Sequence, residues 1–344
     1  MENRKHTSLK DLAQALGVSI PTVSRALKDS PEISRELCAK AKALAKEMNY
    51  RPNPFAMSLR KNAPRIIGVI VPDIVTHFFA SILNGIENMA IANGYFVIIT
   101  TSHESYEHEK RNIENLVNMR VEGIIACLSQ ETTDFSHISA LKDINMPLIL
   151  FDRVCLTDQF SSVIADGAQS AQIATQHLLD NGSKRVAFIG GANHLDIVKQ
   201  RKHGYLDALR QYQIPIEREL IVCEKMTYEE GREATRKLLA LPCPPEAILA
   251  MNDTLAFAAM KEIKEQGLRI PQDVALIGYT DELHSNYVEP ALTAITHQTY
   301  EMGVASCNLL LQHLQKNQSP KKVVVPTRLI VRGSSVKSPF SKIE

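Results

Sequence analysis

The stretch Ser8-Leu9-Lys10-Asp11-Leu12-Ala13-Gln14-Ala15-Leu16-Gly17-Val18-Ser19-Ile20-Pro21-Thr22-Val23-Ser24-Arg25-Ala26-Leu27 decides how the front of this 344-residue chain folds. Ser8 followed three residues later by Asp11 is a capping-box-like helix start, in which each side chain can satisfy a backbone amide of the other. Leu9, Leu12, Ala13 and Leu16 then recur at i, i+3, i+4 and i+7, one apolar stripe along a helix. Gly17 stops that helix, and Val18 is placed to pack in the turn. Ser19 caps a second helix, Ile20 to Leu27, in which Pro21 sits in the first turn, where a missing N–H does no harm. Val23, Ala26 and Leu27 form its inner face. A third helix runs from about Arg35 to Met48, capped by Ser34, with the stripe Leu37, Ala41, Leu44, Ala45 and Met48. Two short helices about a glycine turn make a helix-turn-helix, and the third closes a small core over them.

Charge agrees with that reading. Residues 1–61 hold 12 Lys/Arg against 6 Asp/Glu, and the remainder 27 against 32, so a formal net charge of +1 hides a basic front on a mildly acidic body. This is the footprint of a chain whose one end meets a polyanion. In a helix-turn-helix the second helix enters the major groove with its N-terminal residues on the base edges. Its outward residues here are Ile20, Pro21, Thr22 and Arg25, and Ser19 and Ser24 complete the candidate DNA face. Arg25 can reach guanine or phosphate, Thr22 a phosphate, and Ile20 a thymine methyl. The plainer alternative is an amphipathic helical hairpin with a solvated basic face.

Length predicts two or three domains, and 44% hydrophobic with 22% charged residues is an ordinary globular composition. There is no apolar run long enough for a membrane span. Met1 to Lys10 is polar and charged, without the apolar core of a secretory signal, so the cytoplasm is the expected location. Cys38, Cys127, Cys155, Cys223, Cys243 and Cys307 lack metal-ligand spacing and are expected as buried thiols. No phosphate loop, dinucleotide fingerprint, nucleophile elbow or zinc-protease motif occurs. Neither catalysis nor a cofactor or metal is expected.

From Arg65 onward the pattern changes. Strand-like runs at Ile66–Val71, Tyr95–Thr100, Gly123–Cys127, Pro147–Phe151, Arg185–Ile189, Glu246–Met251 and Val274–Tyr279 alternate with helical stretches. These helices are Phe79–Ala92, His108–Met119, Ala168–Asn181, Lys199–Tyr212, Tyr228–Leu239, Thr254–Gln266 and Met302–Lys316. Near-continuous apolar strands between helices imply parallel sheets covered on both faces, here as two half-sized doubly wound units. Ligands then bind beyond the carboxyl ends of the strands. Between front and body, Asn53-Pro54 reads as a helix start, and Lys61-Asn62-Ala63-Pro64 ends that helix well short of the ~12–15 residues that hold an isolated helix in water.

The runs Ser8–Ala13, Ala15–Ser19, Thr22–Leu27 and Met48–Arg60 resemble the headpiece of the LacI/GalR family of transcriptional regulators. The body adds Phe151-Asp152-Arg153, Gly190-Gly191, Arg201–Tyr205, Asn252-Asp253, Pro271–Tyr279 and Pro290–Thr293, so the likeness covers nearly the whole chain. It implies an all-α, lambda-repressor-like helix-turn-helix headpiece over residues 1–50 and a hinge helix with linker over 51–63. An α/β domain of the type I periplasmic-binding-protein fold follows over 64–331, with two doubly wound parallel-sheet subdomains. The N-subdomain takes about 64–164 and 296–326, and the C-subdomain about 165–295 and 327–334, with crossings near Ala165, Ile295 and Pro326. Residues 335–344 form a polar tail without leucine heptads, so a homodimer is expected and a tetramerising coiled coil is not. The resemblance also implies that the hinge helix pairs with its dimer mate in the minor groove, with Leu59 wedged between base steps and Asn53 and Ala56 at the DNA beside it.

The expected function is sequence-specific binding of pseudo-palindromic operator DNA. Repression is the expected output, under control of a small-molecule effector, a sugar or sugar derivative, held between the subdomains. Candidate effector contacts lie just past strand ends: Phe78 and Phe79 against a ring face, and Asp152 and Arg153 on hydroxyls. Asp253 is a further polar contact, and Arg201, which faces the cleft in the family, can clamp a carboxylate, phosphate or hydroxyl pair. After Gly278-Tyr279 the family often carries Asp or Asn, whereas this chain has Thr280 and then Asp281, both kept as candidates. Leu195 and Ile197 stand where some relatives have polar contacts, which argues against a purine. A secreted sugar-binding protein does not need residues 1–61, a sugar-processing enzyme needs paired catalytic carboxylates, and a nucleoid-type helix-turn-helix protein does not need the long body.

The short hinge generates a prediction. Leu59→Ala weakens operator binding while leaving effector affinity almost intact, measured by fluorescence anisotropy on DNA and calorimetry on the effector. Unchanged operator affinity rules out the wedge.

Overall fold

The computed structural model describes residues 7–50, 65–316 and 318–337. The chain divides into two compact units, residues 1–64 and 65–344. The first holds α1 (Leu9–Leu16), α2 (Ile20–Ala26) and α3 (Arg35–Glu47). Local chemistry sets every boundary. The Ser8 hydroxyl accepts the Asp11 amide while the Asp11 carboxylate accepts the Ser8 amide at 2.8 Å, a complete capping box. Gly17 ends α1 with φ 66°, a left-handed turn that costs glycine nothing. The Ser19 and Ser34 hydroxyls cap α2 and α3. Leu12, Val23, Ala26 and Ala41 are buried, with Leu16, Leu27, Leu44, Ala45 and Met48 packed around them. The hinge helix read over Asn53–Arg60 lies outside the described residues.

The second unit opens with β1 (Ile66–Val71), α4 (His77–Ala92), β2 (Phe96–Thr101), α5 (Tyr106–Asn118), β3 (Gly123–Ala126), α6 (Ser136–Asp143), β4 (Leu148–Phe151) and β5 (Ser161–Ala165). It continues as α7 (Gly167–Asp180), β6 (Val186–Gly190), α8 (Asp196–Gln211), β7 (Ile221–Cys223), α9 (Tyr228–Leu239), β8 (Ala247–Ala250), α10 (Asp253–Glu265), β9 (Ala275–Thr280) and β10 (Thr293–His297). Finally α11 (Thr299–Gln315), β11 (Lys322–Val325) and β12 (Thr327–Ile330) complete both halves.

Two six-stranded sheets result, ordered β11-β5-β4-β3-β1-β2 and β12-β10-β9-β8-β6-β7, parallel throughout except that β12 runs antiparallel to β10. The central strands are buried on both faces because alternate residues feed two cores. In the first sheet Ile67, Val69 and Val71 meet α4 and α11, whereas Ile66, Ile70 and Ile124 meet α5 and α6. In the second, Phe188, Ile248, Leu249 and Ile277 sit in one continuous core with α7 to α10. Among the described residues no helix is long and apolar enough to cross a membrane.

The strands absent from the sequence reading are β5, β7, β10, β11 and β12, together with helix α6. Ser161-Ser162 opens β5 and Thr293 opens β10, so neither reads as an apolar run, and β7 is only three residues long. Ser161 and Thr293 find tertiary partners: Ser161 Oγ accepts the Lys321 amide at 2.9 Å, and the Thr293 hydroxyl accepts the Arg332 amide at 2.8 Å. The end of the fold runs further than the boundary drawn at 335. Ser334 and Ser335 are fully buried, with Ser335 2.7 Å from Thr293 Oγ1 and 2.8 Å from His177 Nε2. Cys38, Cys127, Cys155 and Cys307 are buried, but Cys223 is half-buried and Cys243 is exposed in the loop after α9.

Helices α7 and α8 pack so closely that a Cβ on Gly204 would lie 1.9 Å from the Ala168 carbonyl oxygen. Gly204→Ala therefore forces the two backbones apart. Its expected cost is about 1–3 kcal/mol of unfolding free energy, read from urea denaturation; a change below a few tenths shows that the pair yields without strain.

Candidate functional site

A cavity of about 250 Å³ opens where the carboxyl ends of the two sheets face each other. The first sheet contributes Asp73 and Thr76 after β1, Phe78 and Phe79 on α4, Glu104 after β2, Gln130 after β3, and Asp152 and Arg153 after β4. The second contributes Ile197 and Arg201 on α8, Met226 after β7, Met251, Asn252 and Thr254 around the start of α10, and Thr280 and Glu282 at the end of β9. A parallel strand delivers its following loop to this side, which is why nearly every lining residue is a strand terminus or the first turn of a helix.

Of the expected effector residues, Phe78, Phe79, Asp152, Arg153, Arg201 and Thr280 line this cavity together. The two phenyl rings pack edge to face with centroids 5.1 Å apart. Arg153 Nη1 donates to Glu104 Oε1 at 2.9 Å, to Glu104 Oε2 at 2.7 Å and to the Leu128 carbonyl at 3.1 Å. Burial alone would raise the Glu104 pKa, but the Arg153 charge and hydrogen bonds, with the Gln130 amide, hold it below its ordinary value. Arg201 is 3% exposed, donates to the Met251 carbonyl, and lies over the Tyr279 ring at 4.2 Å from its centroid. Asp152 adopts φ 58°, which turns its side chain out of the strand, and burial raises its pKa against the pull of Arg201 and Arg153.

Two expected contacts sit elsewhere. Asp281 lies 2.7 Å from Arg332 Nη1, outside the cavity lining, and Thr280 takes the cleft position instead. Thr280 at φ 90° and Asp281 at φ 56° make a strained pair of left-handed residues, unusual for a β-branched side chain. Asp253, 1% exposed, stands behind the wall. Its Oδ2 accepts the Glu282 amide at 2.7 Å and the Ser285 hydroxyl at 3.1 Å, so it shapes the rim that carries Thr280 and Glu282. Behind Phe78, His297 lies between that ring and Tyr279, each centroid 6.0 Å away, and burial with the Arg201 charge drives its pKa down to about 3.

Asp73, Thr76, Glu104, Gln130, Met226, Thr254 and Glu282 were not singled out from the sequence. All but Met226 follow strands that were recognised, so their distance past a strand end was a usable signal. Met226 follows β7, which was not recognised. Gln130 does more than line the cavity. Its side-chain Oε1 accepts the Met226 amide at 3.1 Å and its carbonyl lies 2.8 Å from His194 Nε2. Two hydrogen bonds therefore tie the halves together across the cleft at one residue.

On the headpiece, Ser19, Ile20, Pro21 and Arg25 are exposed, and Thr22 and Ser24 partly so. The Ser19 and Thr22 hydroxyls are 2.8 Å apart. Arg25 makes a solvent-exposed ion pair with Glu32 at 2.9 Å, a contact of little strength that leaves the guanidinium available. The candidates Asn53, Ala56 and Leu59 lie outside the described residues.

Burial lifts the pKa of Asp253 to about 7, against the hydrogen bonds it accepts. An unfolded Asp titrates near ~4, so the folded chain holds this proton more tightly, and its contribution to stability grows as pH falls from about 7 toward about 4. Asp253→Asn removes that slope. Urea denaturation at steps between these pH values checks it, and identical slopes for wild type and variant show that the carboxyl titrates normally.

Comparison with known proteins agrees with the two units. The family "Periplasmic binding proteins and sugar binding domain of LacI family" matches residues 65–332, and "Bacterial regulatory proteins, lacI family" matches residues 8–53. The HTH-type transcriptional repressor CytR of Escherichia coli (strain K12) is 31% identical over 329 residues, 95% of this chain and 96% of that protein. The probable HTH-type transcriptional repressor ExuR of Bacillus subtilis (strain 168) is 33% identical over 334 residues, 95% of this chain and 98% of that protein. Among solved structures, a lac repressor dimer bound to operator and the anti-inducer ONPF superposes with TM-score 0.82 at 27% identity, covering 96% of this chain and all of that one. The transcriptional regulator CelR in complex with cellobiose gives TM-score 0.74 at 26% identity, with the same coverage. From its capped headpiece to its two-sheet body, the chain belongs to the LacI family of bacterial regulatory proteins.

Proposed function

We propose that this protein is a cytoplasmic, homodimeric repressor that binds a pseudo-palindromic operator and responds to a small molecule held between its two subdomains. The observation that carries the reading is the joining, in one chain, of an exposed helix face at Ser19–Arg25 to a body whose two sheets aim their strand ends into a shared polar cavity. CytR and ExuR are repressors by name, the lac repressor is a dimer on its operator, and CelR holds cellobiose. No enzymatic role is proposed.

Mechanistically, the effector acts by preferring one arrangement of the halves. Gln130 bridges them through Met226 and His194, so a ligand that adds contacts on both sides stabilises the bridged state. A ligand changes operator affinity only by the difference in its affinity for the two arrangements. Asp152 and Thr280 face it from opposite halves, Phe78 and Phe79 offer an apolar wall, and Arg153 and Arg201 hold the polar walls in place.

The test uses an operator selected from random DNA, titrated by anisotropy with and without a ligand that is recovered chemically unchanged. A ligand-dependent shift in operator affinity is expected; its conversion to product, or the lack of any specific DNA site, refutes the reading. Arg25→Ala weakens specific binding by about 1–3 kcal/mol if its guanidinium reads a base. If it touches phosphate alone, loss is uniform across sequences and the salt dependence falls by about one unit of slope. An unaffected operator affinity removes Arg25 from the interface.

A further inference from the structure

Helix α5 carries an acid in its apolar stripe. Glu109, Ile113 and Leu116 recur at i, i+4 and i+7, and all of them are buried, Glu109 completely. Ile113 and Leu116 join a core of the first sheet, where an apolar neighbour would be the simple choice. A carboxylate out of water is costly unless donors fill it. Here they do. Glu109 Oε2 accepts the Ser129 amide, and its Oε1 accepts the Thr132 hydroxyl at 2.9 Å and lies 2.8 Å from His137 Nε2.

These donors all lie on one segment, the loop that leaves β3 and the first turn of α6. The His137 side chain is 4% exposed and packs edge to face on Tyr106, with ring centroids 5.1 Å apart. An ionised carboxylate only accepts, so Nε2 is the ring nitrogen that carries the proton. Its Nδ1 is buried without a hydrogen-bond partner, so Glu109 alone orients the ring by hydrogen bonding.

The same loop reaches the opposite half. Gln130 stands between Ser129 and Thr132, and it accepts the Met226 amide at 3.1 Å while its carbonyl lies 2.8 Å from His194 Nε2. The Gln130 amide is itself held by Glu104 Oε2 at 2.7 Å. Two carboxylates therefore fix two successive amides, Ser129 through Glu109 and Gln130 through Glu104. The two anchors differ in one respect. Glu104 lines the ligand cavity, whereas Glu109 is shut away from it.

We propose that Glu109, with His137, is the positioning residue of the bridge across the cleft. It fixes the loop on which Gln130 stands, and so sets how readily the two halves part. This rests on the reading above, in which Gln130 links the halves. With the Ser129 amide and the Thr132 hydroxyl pinned, Gln130 is held at the distance where both of its cross-cleft bonds form. Without Glu109 the loop keeps only the Glu104 carboxylate, a group within reach of whatever fills the cleft.

The Met226 amide reports the bridge without ligand or DNA, because it belongs to the opposite half and its acceptor is the Gln130 side chain. Hydrogen exchange is measured by mass spectrometry on the full chain, in a peptide that contains Met226. Gln130→Ala removes the acceptor and sets the scale. In Glu109→Gln the Met226 amide is expected to exchange about tenfold faster than in wild type, as in Gln130→Ala, with no further gain in the double variant. Ile113→Val, a core truncation one turn along α5, is the control: it lowers overall stability and leaves Met226 protected. Unchanged Met226 exchange in Glu109→Gln, or an equal loss of protection in Ile113→Val, overturns the inference. So does Gln130→Ala without effect, since no bridge then forms. Should Glu109→Gln fail to fold, Thr132→Val withdraws a single donor from the carboxylate, and normal Met226 exchange in that variant overturns the inference. None of these outcomes depends on the operator or effector assays, so a failure of small-molecule sensing is told apart from a failure of the anchor.

Discussion

Parallel strands send all their following loops to one edge of the sheet, and among the described residues the chain passes between its two sheets three times. The passages lie at Asp166 between β5 and α7, at Gln298 between β10 and α11, and at Pro326 between β11 and β12. Everything at the cleft follows from that constraint. The strand ends of both halves open toward the same space, with the three connections beside them. His297 ends the strand at one of these passages, and Phe78, Tyr279 and Arg201 gather around it. The walls of the cavity and the joint between the halves are thus built from the same residues.

Electrostatics give that joint its character. Arg153 and Arg201 are almost fully buried, and a charge out of water is costly unless it is well partnered. Glu104 answers Arg153 directly. The Met251 carbonyl and the Tyr279 ring answer Arg201 from the other half. Arg201 Nε is nonetheless buried without a hydrogen-bond partner, so the cleft keeps an unspent donor before any ligand arrives. The bridge at Gln130 places backbone and side chain of one residue in contact with the opposite half. A small displacement there breaks both bonds together, as a two-position element requires.

Much of this was legible in the chain. Apolar spacing and caps placed α1 to α3 within a residue or two, because short helices are governed by local groups such as Ser8, Ser19 and Ser34. Seven strands were legible because their side chains are apolar on both faces. Those that escaped, β5 and β10 among them, carry serine and threonine whose partners come from distant segments, and β12 pairs with β10 from far along the chain. The site followed the same division. Phe78, Asp152 and Arg153 were legible by their place past a strand end, whereas Arg201 and Thr280 were singled out by the family resemblance. Gln130 and Glu282 were legible in position but not in role, since nothing local distinguishes them from other loop residues.

Sequence alone determined the division into a basic helical front and an alternating α/β body, since periodicity, caps and charge are properties of neighbouring residues. Only the tertiary structure decided which polar groups are still free. Arg201 and Asp281 both look like ligand contacts in the chain, yet Arg201 lines the cavity whereas Asp281 lies against Arg332, outside it. Asp152 keeps its carboxylate for the cleft. Whether a donor or acceptor is satisfied depends on groups brought together from dozens of residues away, and no local pattern records that pairing.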